Sequence, residues 1–556
     1  MPAENPPGFP FDTNGDPDRT INYRSPQPQP QPQPYAEQPT RMDFGGTQQM
    51  FTPPPQQGQW RQPEELGYDL PPVVHAPVEK RRSPKGIIIA VIAAVVVGLV
   101  GGGGVWAFST LSGGGSQPSE ALPAGALAYA RIDLDPAANQ KLALFNIARK
   151  FTVTKDAFSG DDPREAFFKA ISTDNPNFEK IDYAADIEPW LGDRIGFALM
   201  PGKDATQPGF ALAIQVKDAD AARAGIAKLD AGSDTKTGVA IRGDYAIVST
   251  TQEEADKYAT GPTLAEAANF TNDMDALGEP GVLSFWADLA GIAKLGGAAS
   301  ATSQAALAQI GNGRFAGALR FDGSYVELAG ITRGIDSKVA DAKPVAIGDL
   351  PDTTAGAIAV SGIGQALKAQ WNTVTESADA AGQGAFSQFV TQAQQQFGLA
   401  IPDDLFTLLG DGLTLAIDSE GLDADLPNIG AVLSTDPDKA GAILTKIEQG
   451  LAASGQQFQL AKAPGDGKLV VATNQGYADK LASAGALKDS ETFQNAVPNA
   501  DAATFAAFVD LDKVENLYLQ GMSDQDKTNL QQLSAVGLSG GYQGSEGNFS
   551  LRVLFN

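Results

Sequence analysis

Between Gly86 and Phe108 the chain reads GIIIAVIAAVVVGLVGGGGVWAF, without one charged or strongly polar side chain. As a helix rising 1.5 Å per residue this run covers roughly 30 to 35 Å, about one bilayer core, and it predicts a transmembrane helix over 86–108. Lys80, Arg81, Arg82 and Lys85 lie just ahead of it, and the next basic residue is Arg131. That asymmetry predicts a cytoplasmic N-terminus and an extracytoplasmic C-terminus. A long tail precedes the run, so it reads as an uncleaved signal anchor in the cell membrane.

Beyond the span the apolar positions change period. Gly209 to Val216 (GFALAIQV) alternates as a strand, and Gly238 to Thr250 (GVAIRGDYAIVST) reads as a hairpin turning at Gly243-Asp244. Asp218 to Leu229 and Asp436 to Leu451 have helical spacing behind an Asp N-cap, the second with Pro437 at its first helical position. The pattern then recurs. Leu122-Pro123 with ALAYARIDL is matched by Leu350-Pro351 with TTAGAIAVS, and PWLGDRIGFALM by TLLGDGLTLAID. TTQEEADKYA is matched by ATNQGYADKLA, Phe270 by Phe493, and GVLSFWADL by ATFAAFVDL. Five landmarks in one order predict a tandem duplication. The expected fold is α+β: two units, 122–345 and 346–556, each with helices packed on a largely antiparallel sheet, either side by side or continuing one sheet.

Residues 1–85 are rich in Pro and Gln, as in Pro26 to Pro34, and predict a disordered cytoplasmic tail with polyproline II character. Thr20 and Thr40 are accessible hydroxyls there, and the tail is a candidate contact for a cytoplasmic protein. Asp12, Asn14, Asp16 and Asp18 imitate a calcium loop but lack its closing glutamate. Residues 109–121 read as a flexible linker. Gly98 and Gly102 form a GxxxG pair in the span, yet the oligomeric state stays open.

Composition narrows the chemistry. The 556 residues carry a formal charge of -26, which argues against nucleic acid as a partner. There is no cysteine, and the one histidine, His75, lies in the tail, so the outer region has no thiolate nucleophile, no Ser-His-Asp triad and no histidine metal site. Asp193 and Asp411, and likewise Asp288 and Asp510, fall at matching places in the two copies, which points to turns and caps before catalysis. Asp418, Glu420, Asp423 and Asp425 lack the glycine of a tight calcium loop. Arg242-Gly243-Asp244 spells an adhesion tripeptide at a hairpin tip, and Trp190, Trp286 and Trp371 sit in apolar contexts expected of a core. No residue is assigned to catalysis, a cofactor or a metal.

Leu122-Pro123, Ala128-Tyr129, Asp133-Leu134-Asp135-Pro136, Gln140-Lys141, Phe151 and Trp190-Leu191-Gly192, behind a proline-rich tail and one membrane helix, resemble an uncharacterised actinobacterial envelope family, the domain of unknown function family numbered 3352. The resemblance implies no activity and no catalytic residues. The expected function is a non-enzymatic envelope binding or scaffold module whose outer domain contacts a protein, a polymer or a lipid. Two alternatives stand beside it: a carrier of a lipid or other hydrophobic ligand, and a carboxylate hydrolase needing two acids about 5 to 10 Å apart in a cleft.

Overall fold

The computed structural model describes residues 115–556 apart from 152–162, 173–177, 179–180, 203–207, 233–235, 296–309, 336–341, 456–458 and the single positions 383, 425 and 520. The tail with Thr20, Thr40, His75 and the Asp12 cluster, the run 86–108 and the Gly98–Gly102 pair lie outside the described residues. Among the described residues no helix is long and apolar enough to cross a membrane.

The fold is α+β, with helices on a large antiparallel sheet. Its first eight strands are β1 (Ala128–Asp133), β2 (Leu191–Met200), β3 (Gly209–Val216), β4 (Gly238–Arg242), β5 (Tyr245–Ser249), β6 (Leu283–Asp288), β7 (Arg314–Asp322) and β8 (Tyr325–Arg333). The second eight are β9 (Thr354–Ser361), β10 (Gly412–Asp418), β11 (Ile429–Ser434), β12 (Ala461–Gly465), β13 (Lys468–Ala472), β14 (Phe505–Asp510), β15 (Leu533–Gln543) and β16 (Glu546–Phe555). The sheet runs 4-5-3-2-1-6-7-8 and then 16-15-14-9-10-11-13-12, so both halves use one strand order and meet where β8 pairs with β16. The two halves therefore continue one sheet.

Equivalent backbone hydrogen bonds show that the repeated sequence landmarks also coincide in space. Leu134 N–H donates to Asp193 O and Gly362 N–H to Asp411 O, both at 2.6 Å. Asp133 N–H donates to Val282 O at 2.9 Å and Ser361 N–H to Thr504 O at 2.8 Å, while Leu264 N–H reaches Leu122 O at 2.8 Å and Leu487 N–H reaches Leu350 O at 3.0 Å.

The helices used below are α1 (Ala138–Ala148), α2 (Ala219–Leu229), α3 (Gln252–Thr260), α4 (Ala268–Leu277), α5 (Ile363–Gly382), α6 (Ala385–Phe397), α7 (Asp403–Leu409), α8 (Pro437–Ala453), α9 (Gln475–Ala482) and α10 (Glu491–Ala496). Their starts follow the expected capping. The Asp218 carboxylate accepts from Ala221 N–H, the Asp436 carboxylate from Asp438 and Lys439 N–H, and Thr251 and Asn474 cap α3 and α9 at equivalent places.

One face of the sheet packs under α3, α4, α9 and α10. Its strand residues are small: Ala198, Ala211, Ala213, Ala316 and Ala318 in the first half, and Ala357, Ala359, Ala416 and Ala506 in the second. Methyl side chains keep this face low, and larger groups above and between them fill the space. Tyr129, Phe270 and Trp286 meet edge-on at 5.0 and 5.7 Å, and the counterpart pair Phe493–Phe508 at 5.2 Å. Burying each such ring stabilises by about 1.5–3 kcal/mol.

Of the segment 109–121, expected as a linker, the part from Ser116 onward packs against the fold. Pro118–Glu120 forms a 3-10 turn, Pro118, Ser119, Ala121 and Leu122 are buried, and Ser116 is held at both its hydroxyl and its carbonyl. The polar composition of this segment hid its partners, which come from β2, β3 and the β4–β5 turn.

Candidate functional site

Alternation sends the large apolar residues of the same strands to the opposite face. Ala130 lies opposite Phe197 and Phe285; Phe285 lies opposite Gly317, which faces Gly330; Gly330 faces Phe549, and Phe549 faces Gly540, which faces Phe505. Rings thus lie over glycines. A Cβ on Gly317 would meet the Phe285 ring, and one on Gly330 the Phe549 ring, so only glycine lets these rings lie flat along the sheet. Phe285–Phe315 and Phe315–Phe549 carry the row onward at 5.5 and 6.2 Å. From β6 to β10 across the junction, Thr332 and Tyr542 are the polar side chains on this face within the paired registers.

The two halves cover this aromatic face differently. In the first half α1 packs on β7, Phe151 just beyond it meets Phe555 edge-on at 5.8 Å, and α2 closes a cluster with Val216, Ala246 and Val248. In the second half α7 and α8 cover the outer strands around Leu433, Leu469 and Val471 and reach in as far as Leu413 of β10. The counterpart of α1 is α5, which leaves β9 through Gly362 and pairs with α6, and the pair packs chiefly on α7 and α8. The middle strands are left bare: Ile358 is 57%, Leu415 46% and Val509 39% exposed. Ile358 and Leu415 are direct cross-strand partners, and Val509 projects from the strand on the other side of β9.

Charge is concentrated on the helix-covered face instead. Arg131, Asp133 and Arg194 are buried together; the Arg131 guanidinium pairs with the Asp133 carboxylate, and Arg194 Nε donates to it at 3.2 Å. Arg194 Nη1 and the Tyr245 hydroxyl donate to Ser116 O at 3.3 and 2.8 Å, while the Ser116 hydroxyl and Gln215 Nε2 donate to the Asp244 carboxylate at 2.6 and 2.8 Å. Burial would raise the Asp244 carboxyl, but the bonds from Gln215 and Ser116 outweigh it and hold it below its ordinary value. Burial pushes the Tyr129 and Tyr245 phenols up. None of the three charges is repeated, because the equivalent positions of the second half are Ala359, Ser361 and Gly412.

A second buried group sits at the junction of the halves. Glu327 of β8 accepts from Arg320 Nη1 at 3.1 Å, Arg552 Nε at 3.0 Å and the Ser550 hydroxyl at 2.7 Å, the last two from β16. At the other end of the β7–β8 pair, buried Asp273 accepts from Arg314 Nε at 2.6 Å and Trp286 Nε1 at 2.9 Å.

The residues singled out in the sequence fall mostly into structural places. Asp193 lies in β2 where its register with β3 shifts and Asp411 in the turn before β10, their carbonyls accepting equivalent backbone bonds; the Asp288 carboxylate accepts from Gly291 N–H at 2.9 Å at a helix start, and the Asp510 carboxylate from Lys513 N–H at 3.2 Å in a turn. Arg242 donates to Tyr258 O and Gly261 O, so both charges of the Arg-Gly-Asp tripeptide are engaged within the chain. Trp190 and Trp286 are core residues, and Trp371 packs between Phe386 and Phe406. Asp418 and Glu420 both bind Lys480 Nζ, at 2.9 and 3.0 Å, which puts an ammonium where a cation would sit. Asp425 lies outside the described residues, and no group of three or more metal-ligating side chains occurs among them. A hollow of about 320 Å³ against Ser387, Gln388 and Thr391 of α6 has no carboxylate in its wall.

The model of a family described as protein of unknown function, DUF3352, matches residues 89–516. The chain belongs to that family. The DUF3352 match begins inside the apolar run 86–108 and ends before β15, so it takes in all strands except the last hairpin, β15–β16. No curated protein and no solved structure matches the chain. The DUF3352 description names no activity, and the site must be read from its own chemistry.

Proposed function

We propose that this chain is a non-enzymatic binding module of the cell envelope, anchored by a helix over 86–108 with its folded part outside, and that its aromatic sheet face takes up an apolar ligand. One observation carries the reading: large apolar side chains on adjacent strands point away from the helix-covered core, and in the second half Ile358, Leu415 and Val509 remain exposed there. Contiguous apolar surface of this kind marks an interaction site. A carbohydrate polymer or a polar protein surface would lose hydrogen bonds to water on a face with almost no donors or acceptors, which favours a carrier of a hydrophobic ligand over a scaffold for polar partners. The shared strand order and equivalent hydrogen bonds support descent of both halves from one duplicated unit. The acidic composition disfavours nucleic acid, and the Pro/Gln-rich tail is left as a separate contact for a cytoplasmic protein.

A conjugated polyene fatty acid, excited by transfer from the protein's tryptophans, tests this on the full chain in an amphipathic polymer. The expected signal saturates at a fixed ratio of probe to protein and is displaced by an unlabelled long-chain acyl compound. A signal that grows linearly without saturation would retire the reading.

A further inference from the structure

We infer that the bare part of the aromatic face in the second half seats one acyl chain of a bilayer phospholipid, with Ile358 and Leu415 as its floor, Val509 along one side and α5–α6 beside it. The inference rests on the apolar-ligand reading above and assigns it a place and a ligand class. Four observations converge.

The first is the difference between the halves. They share strand order and backbone hydrogen bonds, yet α1 lies on the sheet while its counterpart α5 packs chiefly on other helices. The first-half positions equivalent to Ile358, Leu415 and Val509 are Ala130, Phe197 and Ala287, and all three are half-buried where their counterparts are exposed. The second is the floor itself. Ile358 and Leu415 face each other across β9 and β10, and the same row continues through Ala507 on β14 and Ala431 on β11. The next row carries Val509, Gly356 and Ile417 in register. Neither row presents a hydrogen-bonding side chain, so the complementary ligand is a hydrocarbon whose polar end remains in water.

The third observation is the helical pair. Val374 on α5 and Phe389 on α6 are 39% and 65% exposed, so the pair adds apolar surface of its own instead of burying it. Gly362 and Gly384, both with positive φ, give the pair its turn off β9 and its turn between helices. The fourth concerns supply. The apolar run ends at Phe108 and the described fold begins at Gly115, so six residues, 109–114, separate them and reach at most roughly 20 Å. An anchored chain of that length keeps the domain beside bilayer phospholipid, which makes the membrane the source of the chain.

The test uses the full chain in phosphatidylglycerol–phosphatidylethanolamine vesicles containing a trace of phospholipid with a diazirine on one acyl chain. After irradiation and digestion, label is expected in peptides covering 354–361, 412–418 and 505–510. Leu415→Glu and Ile358→Glu alter exposed side chains and leave folding intact; each is expected to lower that label at least tenfold, while Leu415→Met keeps it. Label on Phe285, Phe315 and Phe549 without label on β9, β10 and β14 would overturn the assigned seat and leave the apolar-ligand reading standing. Label on neither surface would overturn both. Label on β9 and β10 that Leu415→Glu does not change would also overturn the seat.

Discussion

Replacing Asp133 with alanine lowers the unfolding free energy by about 3–5 kcal/mol, because it leaves the buried Arg131 and Arg194 guanidinium groups with no carboxylate between them. The energy comes from the stranded charges more than from the pair itself. The second half supplies the control within the same molecule. Ser361 holds the equivalent position, carries no buried charge beside it, and its replacement by alanine costs under about 1 kcal/mol. Changing the whole cluster to the second half's residues, with Arg131→Ala, Asp133→Ser and Arg194→Gly, removes both signs of charge together and recovers part of the loss. Urea unfolding of the full chain, followed by tryptophan emission, measures all three. Equal costs for Asp133→Ala and Ser361→Ala would contradict this account of the buried cluster.

Glu327→Ala has an effect of similar size, about 3 kcal/mol, but at a different place and with a pH signature. Glu327 joins the halves: its carboxylate takes bonds from Ser550 and Arg552 of β16 and from Arg320 of β7, and Arg552 also lies over the Tyr325 ring at 4.2 Å. Burial alone would raise this carboxyl. The hydrogen bonds from Ser550 and Arg552 and the Arg552 charge outweigh burial and hold it below its ordinary value of 4.5. A carboxyl depressed in the folded state contributes stability that is fully present above 4.5 and is lost as pH falls through the lower folded value. Acid therefore weakens the β8–β16 junction, and Glu327→Gln flattens that part of the pH profile. Hydrogen exchange at β8 and β16 reads the junction directly: faster exchange in Glu327→Ala, with β4 and β12 at the sheet's edges unchanged, is the expected outcome.

Much of the fold was legible because it depends on local rules. Asp218 and Asp436 announced their helices by capping, Gly243-Asp244 announced the β4–β5 turn, and the paired landmarks from Leu122 and Leu350 onward announced two units of one plan. Strand pairing across the halves was not legible, since alternation fixes which face a residue takes but not which strand lies beside it. Glu327 and Arg552 look in sequence like ordinary outward residues of alternating strands, and only the β8–β16 pairing buries them together.

The candidate face was hidden by the same convention in reverse. In GRFAGALRF the large residues Phe315, Leu319 and Phe321 suggest the core and the alanines suggest filler, but Ala316 and Ala318 lie under the helices and the rings point to the other side. The signal that could have disclosed it is the recurrence of small residues at alternate positions of β3, β7 and β9, among them Ala211, Ala213, Ala316, Ala318, Ala357 and Ala359, which leaves the large apolar residues of those strands to the other face.

Native mass spectrometry of the full chain, released from its own membranes in mild detergent, tests the central claim most directly. The prediction is a population carrying a discrete adduct of phospholipid mass that survives removal of the detergent and is lost from Leu415→Glu. A spectrum of bare protein after gentle release, or an adduct equally abundant in Leu415→Glu, would contradict it.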